Sequence, residues 1–145
     1  MATTATVSLA SDISAAFGGF SKTMTLTKAG TSNDITETTG FSRRKLSATT
    51  AVDLVTMANE LIEPADNTSA KIYIKNAGYQ GSWDKSTYVT VKIGATAGTT
   101  QEVGRLYGGD WLLMPLTVVD DMDVVVAPST NDTVVLEYVM FYEEA

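Results

Sequence analysis

Apolar and polar residues alternate with a period of two over much of the chain, the spacing that puts successive side chains on opposite faces of a β-strand. In Lys71-Ile72-Tyr73-Ile74-Lys75-Asn76, one face receives Ile72, Ile74 and Asn76 and the other Lys71, Tyr73 and Lys75. Thr87 to Gly94 repeats the pattern, with Val89, Val91 and Ile93 opposed to Tyr88, Thr90 and Lys92. Residues 77–86 between them carry glycines and polar side chains, which predicts a long hairpin loop. Met122 to Ala127 reads as a strand stopped by the turn cluster Pro128-Ser129-Thr130-Asn131-Asp132. Thr133 to Tyr142 is apolar on both faces, which predicts a central strand or one face covered by a neighbouring subunit. Trp111 to Val119 is a further strand, in which Pro115 requires an edge position or a bend.

The N-terminal half is less periodic. Phe20–Lys28 and Phe41–Ala48 read as strands separated by a polar loop over 29–40. Val52–Ile62 fits a helical stripe as well as a strand; the neighbouring strands favour strand. Gly104 and Gly108-Gly109 predict a turn before Trp111. Residues 1–18, rich in Ala, Thr and Ser, predict a loosely held N-terminal arm ahead of a single domain over 19–145. The total is about eight or nine short strands with turn signals between them. This pattern defines an all-β fold, an antiparallel β-sandwich or jelly roll. No internal repeat is present.

Composition narrows the function. The chain has 145 residues, 10 Lys and Arg against 17 Asp and Glu, a net charge of −7, and neither histidine nor cysteine. That excludes disulfides, thiolate metal sites, cysteine nucleophiles and the commonest general base. It argues against nucleic acid and anionic membranes as partners. No apolar run approaches the roughly 20 residues of a membrane helix, and the first twenty residues, without Lys or Arg, do not read as a secretory signal. There is no Ser-x-x-Lys pattern, nucleophile elbow, Walker pattern or dinucleotide fingerprint. The residues therefore point to a non-enzymatic protein with no cofactor.

Three groups of residues stand out. Arg43-Arg44-Lys45 is the only basic run. It reads equally as a docking point for an acidic protein surface or as a solvated strand face with snorkelling side chains. Tyr79, Trp83 and Trp111 lie in or beside loops, where aromatics either stack on a sugar or anchor an interface, or fold back over the end of the sandwich. Asp120, Asp121 and Asp123 are dense enough to suggest Ca²⁺, but their spacing matches no EF-hand or RTX loop. A turn between two apolar strands explains them as well.

The order of segments carries a resemblance. Ile72-Tyr73-Ile74-Lys75-Asn76 and Tyr88-Val89-Thr90-Val91-Lys92-Ile93-Gly94 are followed by Glu102-Val103-Gly104-Arg105-Leu106. Then come Gly108-Gly109-Asp110-Trp111, Pro115-Leu116, Val124-Val125-Val126-Ala127 and Val135-Leu136-Glu137-Tyr138. Over roughly residues 70–142 the chain resembles small β-sandwich virion proteins of tailed bacteriophages, especially capsid decoration (cement) proteins. The resemblance implies a structural protein, made in the host cytoplasm, that binds the outside of an assembled head. Its partner would be the major capsid protein of the same virion, and its own state a homotrimer. Arg43, Arg44 and Lys45 would supply charge contacts, and residues 1–18 a clamping arm. The competing expectation is a receptor- or glycan-binding module of a phage tail or fibre, acting through Tyr79, Trp83 and Trp111.

Overall fold

A computed structural model describes residues 3–9, 20–27, 35, 37–57, 70–79, 85–95, 100–117 and 122–142. The described residues form eleven strands and no helix. In chain order these are β1 (Thr4–Leu9), β2 (Phe20–Thr25), β3 (Glu37–Thr38), β4 (Ser42–Leu46), β5 (Val52–Val55) and β6 (Ala70–Tyr79). They continue as β7 (Tyr88–Ile93), β8 (Gln101–Tyr107), β9 (Trp111–Leu116), β10 (Val124–Pro128) and β11 (Val134–Tyr142). Every pairing is antiparallel.

Two sheets make the body. The front sheet places β11 and β6 in the middle and β9 at one edge, with β3 and β4 sharing the other edge along β11. The back sheet runs β5-β10-β7-β8. The partnerships are nested: β4 with β11, β5 with β10, β6 with β9, β7 with β8. The last eight strands therefore form one long antiparallel ribbon, closed by the β7–β8 pair and wound over itself. Both sheets feed one core. Leu54, Val89, Val91, Leu106, Val124 and Val126 from the back meet Leu46, Ile72, Ile74, Leu116, Leu136 and Met140 from the front. The period-two reading thus gives the buried faces of β6, β7 and β11, and Pro115 sits on an edge strand.

Four readings change. Residues 77–86 are no simple hairpin loop, because β6 extends to Tyr79 and β6 and β7 belong to opposite sheets. The chain changes sheet there to close the core. Gln101–Tyr107 is a strand with its turn at Gly108-Gly109, since β7 supplies the ladder that Gly104 alone would weaken. Within the polar 29–40 segment, Glu37–Thr38 pairs with Phe141 and Tyr142. Within the segment expected to be a loose arm, Thr4–Leu9 pairs residue for residue with Phe20–Thr25. Its alternation explains that: Thr4, Thr6 and Ser8 lie on one side, opposite Thr25, Thr23 and Ser21, and Ala5 and Val7 on the other. The hydroxyls interlock, Thr6 with Thr23 at 2.8 Å and Ser8 with Ser21 at 3.0 Å.

Asn76 holds the corner between the sheets. It is buried, and each of its polar groups has a partner. Its backbone N–H donates to the Asp110 carbonyl at 2.9 Å, and its carbonyl accepts from Gly109 N–H at 2.8 Å. Its side-chain amide donates to the Leu106 carbonyl at 2.9 Å, and its side-chain oxygen accepts from Gly78 N–H at 2.9 Å. The β8–β9 turn, where the chain passes from back sheet to front, is thereby fastened to β6. Gly78 lies where β6 carries one more residue than β11 opposite, and its φ of +96° suits glycine. Replacing Asn76 by Ala strands a buried carbonyl and a buried N–H at once. Asn76→Ala is expected to cost about 2–4 kcal/mol in urea unfolding. A loss below about 1 kcal/mol would deny Asn76 this role.

Candidate functional site

The outward side of the front sheet is ordered in cross-strand rows. One row runs Arg43, Glu137, Lys75, Trp111 across β4, β11, β6 and β9. The next contains Val139, Tyr73 and Leu113. A third contains Thr38, Phe141, Lys71 and Pro115. Lys45 lies beyond Arg43, opposite Val135. These residues face outward because their alternates, Ile72, Ile74, Leu136 and Met140, are committed to the core. The β1–β2 hairpin stands beside this face and turns Ala5, Val7, Lys22 and Met24 towards β9. Between hairpin and sheet lies a groove of about 430 Å³. A second concavity of about 320 Å³ is walled by Tyr73 and Trp111.

The electrostatics are local. Among the described residues of this face, Glu137 is the one carboxylate, and its side chain is only 14% exposed. Arg43 Nε donates to Glu137 Oε1 at 2.8 Å, and Lys75 is the cross-strand neighbour on its other side. Five of the chain's ten Lys and Arg residues (Lys22, Arg43, Lys45, Lys71 and Lys75) belong to this face and its hairpin. Burial, reinforced by the Glu137 charge, raises the Tyr73 phenol above its ordinary value. The Tyr73 ring lies 6.1 Å from that of Trp111, tilted by 34°.

The basic run is divided by its own strand. Arg43 and Lys45 face out, but Arg44 alternates to the other side, opposite buried Leu136. There its guanidinium donates to the carbonyl of Asp53 on β5 and closes the sandwich edge between the two sheets. Of the expected aromatics, Trp111 is 48% exposed on β9. Trp83 and the Tyr79 side chain lie outside the described residues. The partner that Trp111 does have, Tyr73, is legible only once the β6–β9 register is known. Asp123 is buried, and its Oδ1 accepts from Met57 N–H at 2.8 Å. It ties β5 to β10. Asp120 and Asp121 lie outside the described residues, and no cluster of three potential metal ligands occurs among the described ones.

The back sheet carries a second aromatic group. Tyr88 and Tyr107 lie 5.3 Å apart, and the Arg105 guanidinium sits 4.8 Å over the Tyr88 ring. Arg105 Nε is also bonded to Glu102 at 3.0 Å, and this bond, with the Glu102 charge, raises the arginine pKa further. These side chains engage one another on the back sheet.

No protein-family model matches the chain, and no curated protein matches it. One similar solved chain comes from a structure described as "Bacillus endospore appendages form a novel family of disulfide-linked pili". It shares 14% identity over 79% of this chain and 97% of that one, with a TM-score of 0.39. A likeness at that level bears on neither mechanism nor partner.

Two outcomes follow from this geometry. Arg44→Ala is expected to cost about 1.5–3 kcal/mol in denaturant unfolding, the value of a charged hydrogen bond to a partly buried carbonyl. Arg43→Ala and Lys45→Ala should each cost less than about 1 kcal/mol. Equal losses at all three positions would contradict the division of the run. The second outcome concerns pH. A phenol whose pKa is raised by folding binds its proton more tightly in the native state. Its contribution is complete below the ordinary value of 10.0 and is lost as pH rises through the raised value. Stability should therefore fall in alkali above pH 10.0, and Tyr73→Phe should remove that component of the fall. An unchanged alkaline profile in Tyr73→Phe would contradict it.

Proposed function

We propose that this chain is a non-enzymatic virion structural protein of the capsid-decoration type, and that the outward face of its front sheet attaches it to the shell of an assembled phage head. The observation that carries this reading is the collection of half the chain's cations, with Trp111, Tyr73, Phe141 and Leu113 among them, on one face and its flanking hairpin in a chain of net charge −7. Such a face suits an acidic protein lattice: charge steers the encounter, and the aromatics provide the area that is desolvated. The nested strand pairs fit the winding of a jelly roll, a frequent fold of virion shells. A homotrimer clamping neighbouring capsid subunits would hide the apolar rows of the face, and many symmetric sites would multiply a modest affinity. Shell stabilisation would then be mass action, because only the assembled lattice binds.

The test is re-addition of purified protein to heads that lack it. The double variant Arg43→Ala, Lys45→Ala should fold normally and bind about tenfold more weakly at low salt. Unchanged occupancy would remove the basic face as the attachment surface. A second reading, a glycan-binding module of a tail or fibre, is favoured by the concavity that Tyr73 and Trp111 wall. Saturable binding of a sugar, abolished in Trp111→Ala, together with no binding to heads, would establish it instead.

A further inference from the structure

The groove between the β1–β2 hairpin and β9 is lined by Ala5, Val7, Met24, Trp111, Leu113 and Pro115, with Lys22 and Lys71 at its sides. At about 430 Å³ it falls in the range of roughly 300–1,000 Å³ that holds small organic groups. Met24 is 50% and Trp111 48% exposed, so the walls are wetted apolar surface. The hairpin makes the arrangement pointed. Its other face carries the hydroxyl pairs Thr6–Thr23 and Ser8–Ser21, and Ala5, Val7 and Met24 are directed into the groove. A two-stranded ribbon is marginal in water without a covered apolar face, and here that face is only half covered.

We infer that the groove receives an apolar side chain presented on an acidic surface of a partner protein. Lys22 attracts carboxylates flanking that anchor, and the Lys71 ammonium, which donates to the Thr27 carbonyl at 3.2 Å, adds its positive charge at the groove wall. The occupant follows from charge: the charged residues lining the groove, Lys22 and Lys71, are both cations, so a carboxylate-flanked anchor is attracted and a lysine-flanked one repelled. A second copy meeting the groove with its own corresponding face would bring like charges together. The inference rests on the reading of this face as the attachment surface and deepens it by naming the anchor.

The test uses a Trp83→Phe background, in which Trp111 is the only indole, and its fluorescence. Three synthetic peptides serve as probes: Phe flanked by Asp, Phe flanked by Lys, and Ala flanked by Asp. The Asp–Phe peptide should shift Trp111 emission saturably. Its affinity should fall about tenfold in Lys22→Glu and further with added salt. Met24→Glu, at a half-exposed position that circular dichroism should show still folded, should abolish the shift. Equal binding of the Lys–Phe or Asp–Ala peptide, or no shift at millimolar peptide, would overturn the inference. So would light scattering that shows a self-associated state dissolved by Met24→Glu, which would assign the groove to a second copy. Head binding separates the two levels. If wild type and Met24→Glu decorate heads equally, the groove assignment falls and the attachment reading stands. If the Asp–Phe peptide binds but wild type ignores heads, the attachment reading falls and the groove assignment stands.

Discussion

Four hydrogen bonds converge on Asn76, and the rest of the front sheet takes its register from them. They bind the β8–β9 turn, the bulge at Gly78 and the central strand β6 into one unit. Period two makes register a binary matter, because a slip of one residue would exchange the two faces of a strand. With Asn76 held inside, Ile72 and Ile74 must also face the core, and Lys71, Tyr73 and Lys75 must face out. The same corner sets where β9 begins, and so brings Trp111 beside Lys75 and Leu113 beside Tyr73. The outward face is thus a consequence of how the core is closed.

Two other polar contacts work in the same way at the opposite edge. Arg44 fastens β4 to the β5 backbone, and Asp123 fastens the end of β5 to β10. Both sit where consecutive strands belong to different sheets. A sandwich wound from one long ribbon has its weakest points at those crossings, since no ladder joins the two layers there. At Arg44 and Asn76 a side chain satisfying a backbone group across the gap supplies the missing link, and Asp123 extends the β5–β10 pairing to the point where the chain leaves the back sheet. Two residues that the sequence offers as surface candidates, Arg44 and Asp123, are therefore read better as joints.

The all-β class, most strand positions and the inward residues of β6, β7 and β11 are legible in the sequence because burial imposes period two on them. The edge position of Pro115 is legible for an equally local reason, its missing N–H. The face itself is much less so. Arg43 and Lys45 are visible as charges, but their separation from Arg44 appears only once Ser42–Leu46 is known to be a strand. Tyr73, Lys75, Glu137 and Met24 carry no local mark. They become neighbours through pairings between strands far apart in the chain, and register of that kind depends on bulges such as the one at Gly78. The first strand, Thr4–Leu9, hides for another reason. Hydroxyl residues suit loops and strands alike, and only pairing with Ser21, Thr23 and Thr25 decides between them.

The most direct measurement is covalent side-chain footprinting of the protein bound to heads against the protein free in solution. The attachment reading requires protection at Met24, Tyr73, Trp111 and Phe141, with Tyr88 and Tyr107 on the back sheet labelled as before. Protection centred on Tyr88 and Tyr107, with Trp111 and Tyr73 still labelled, would contradict it.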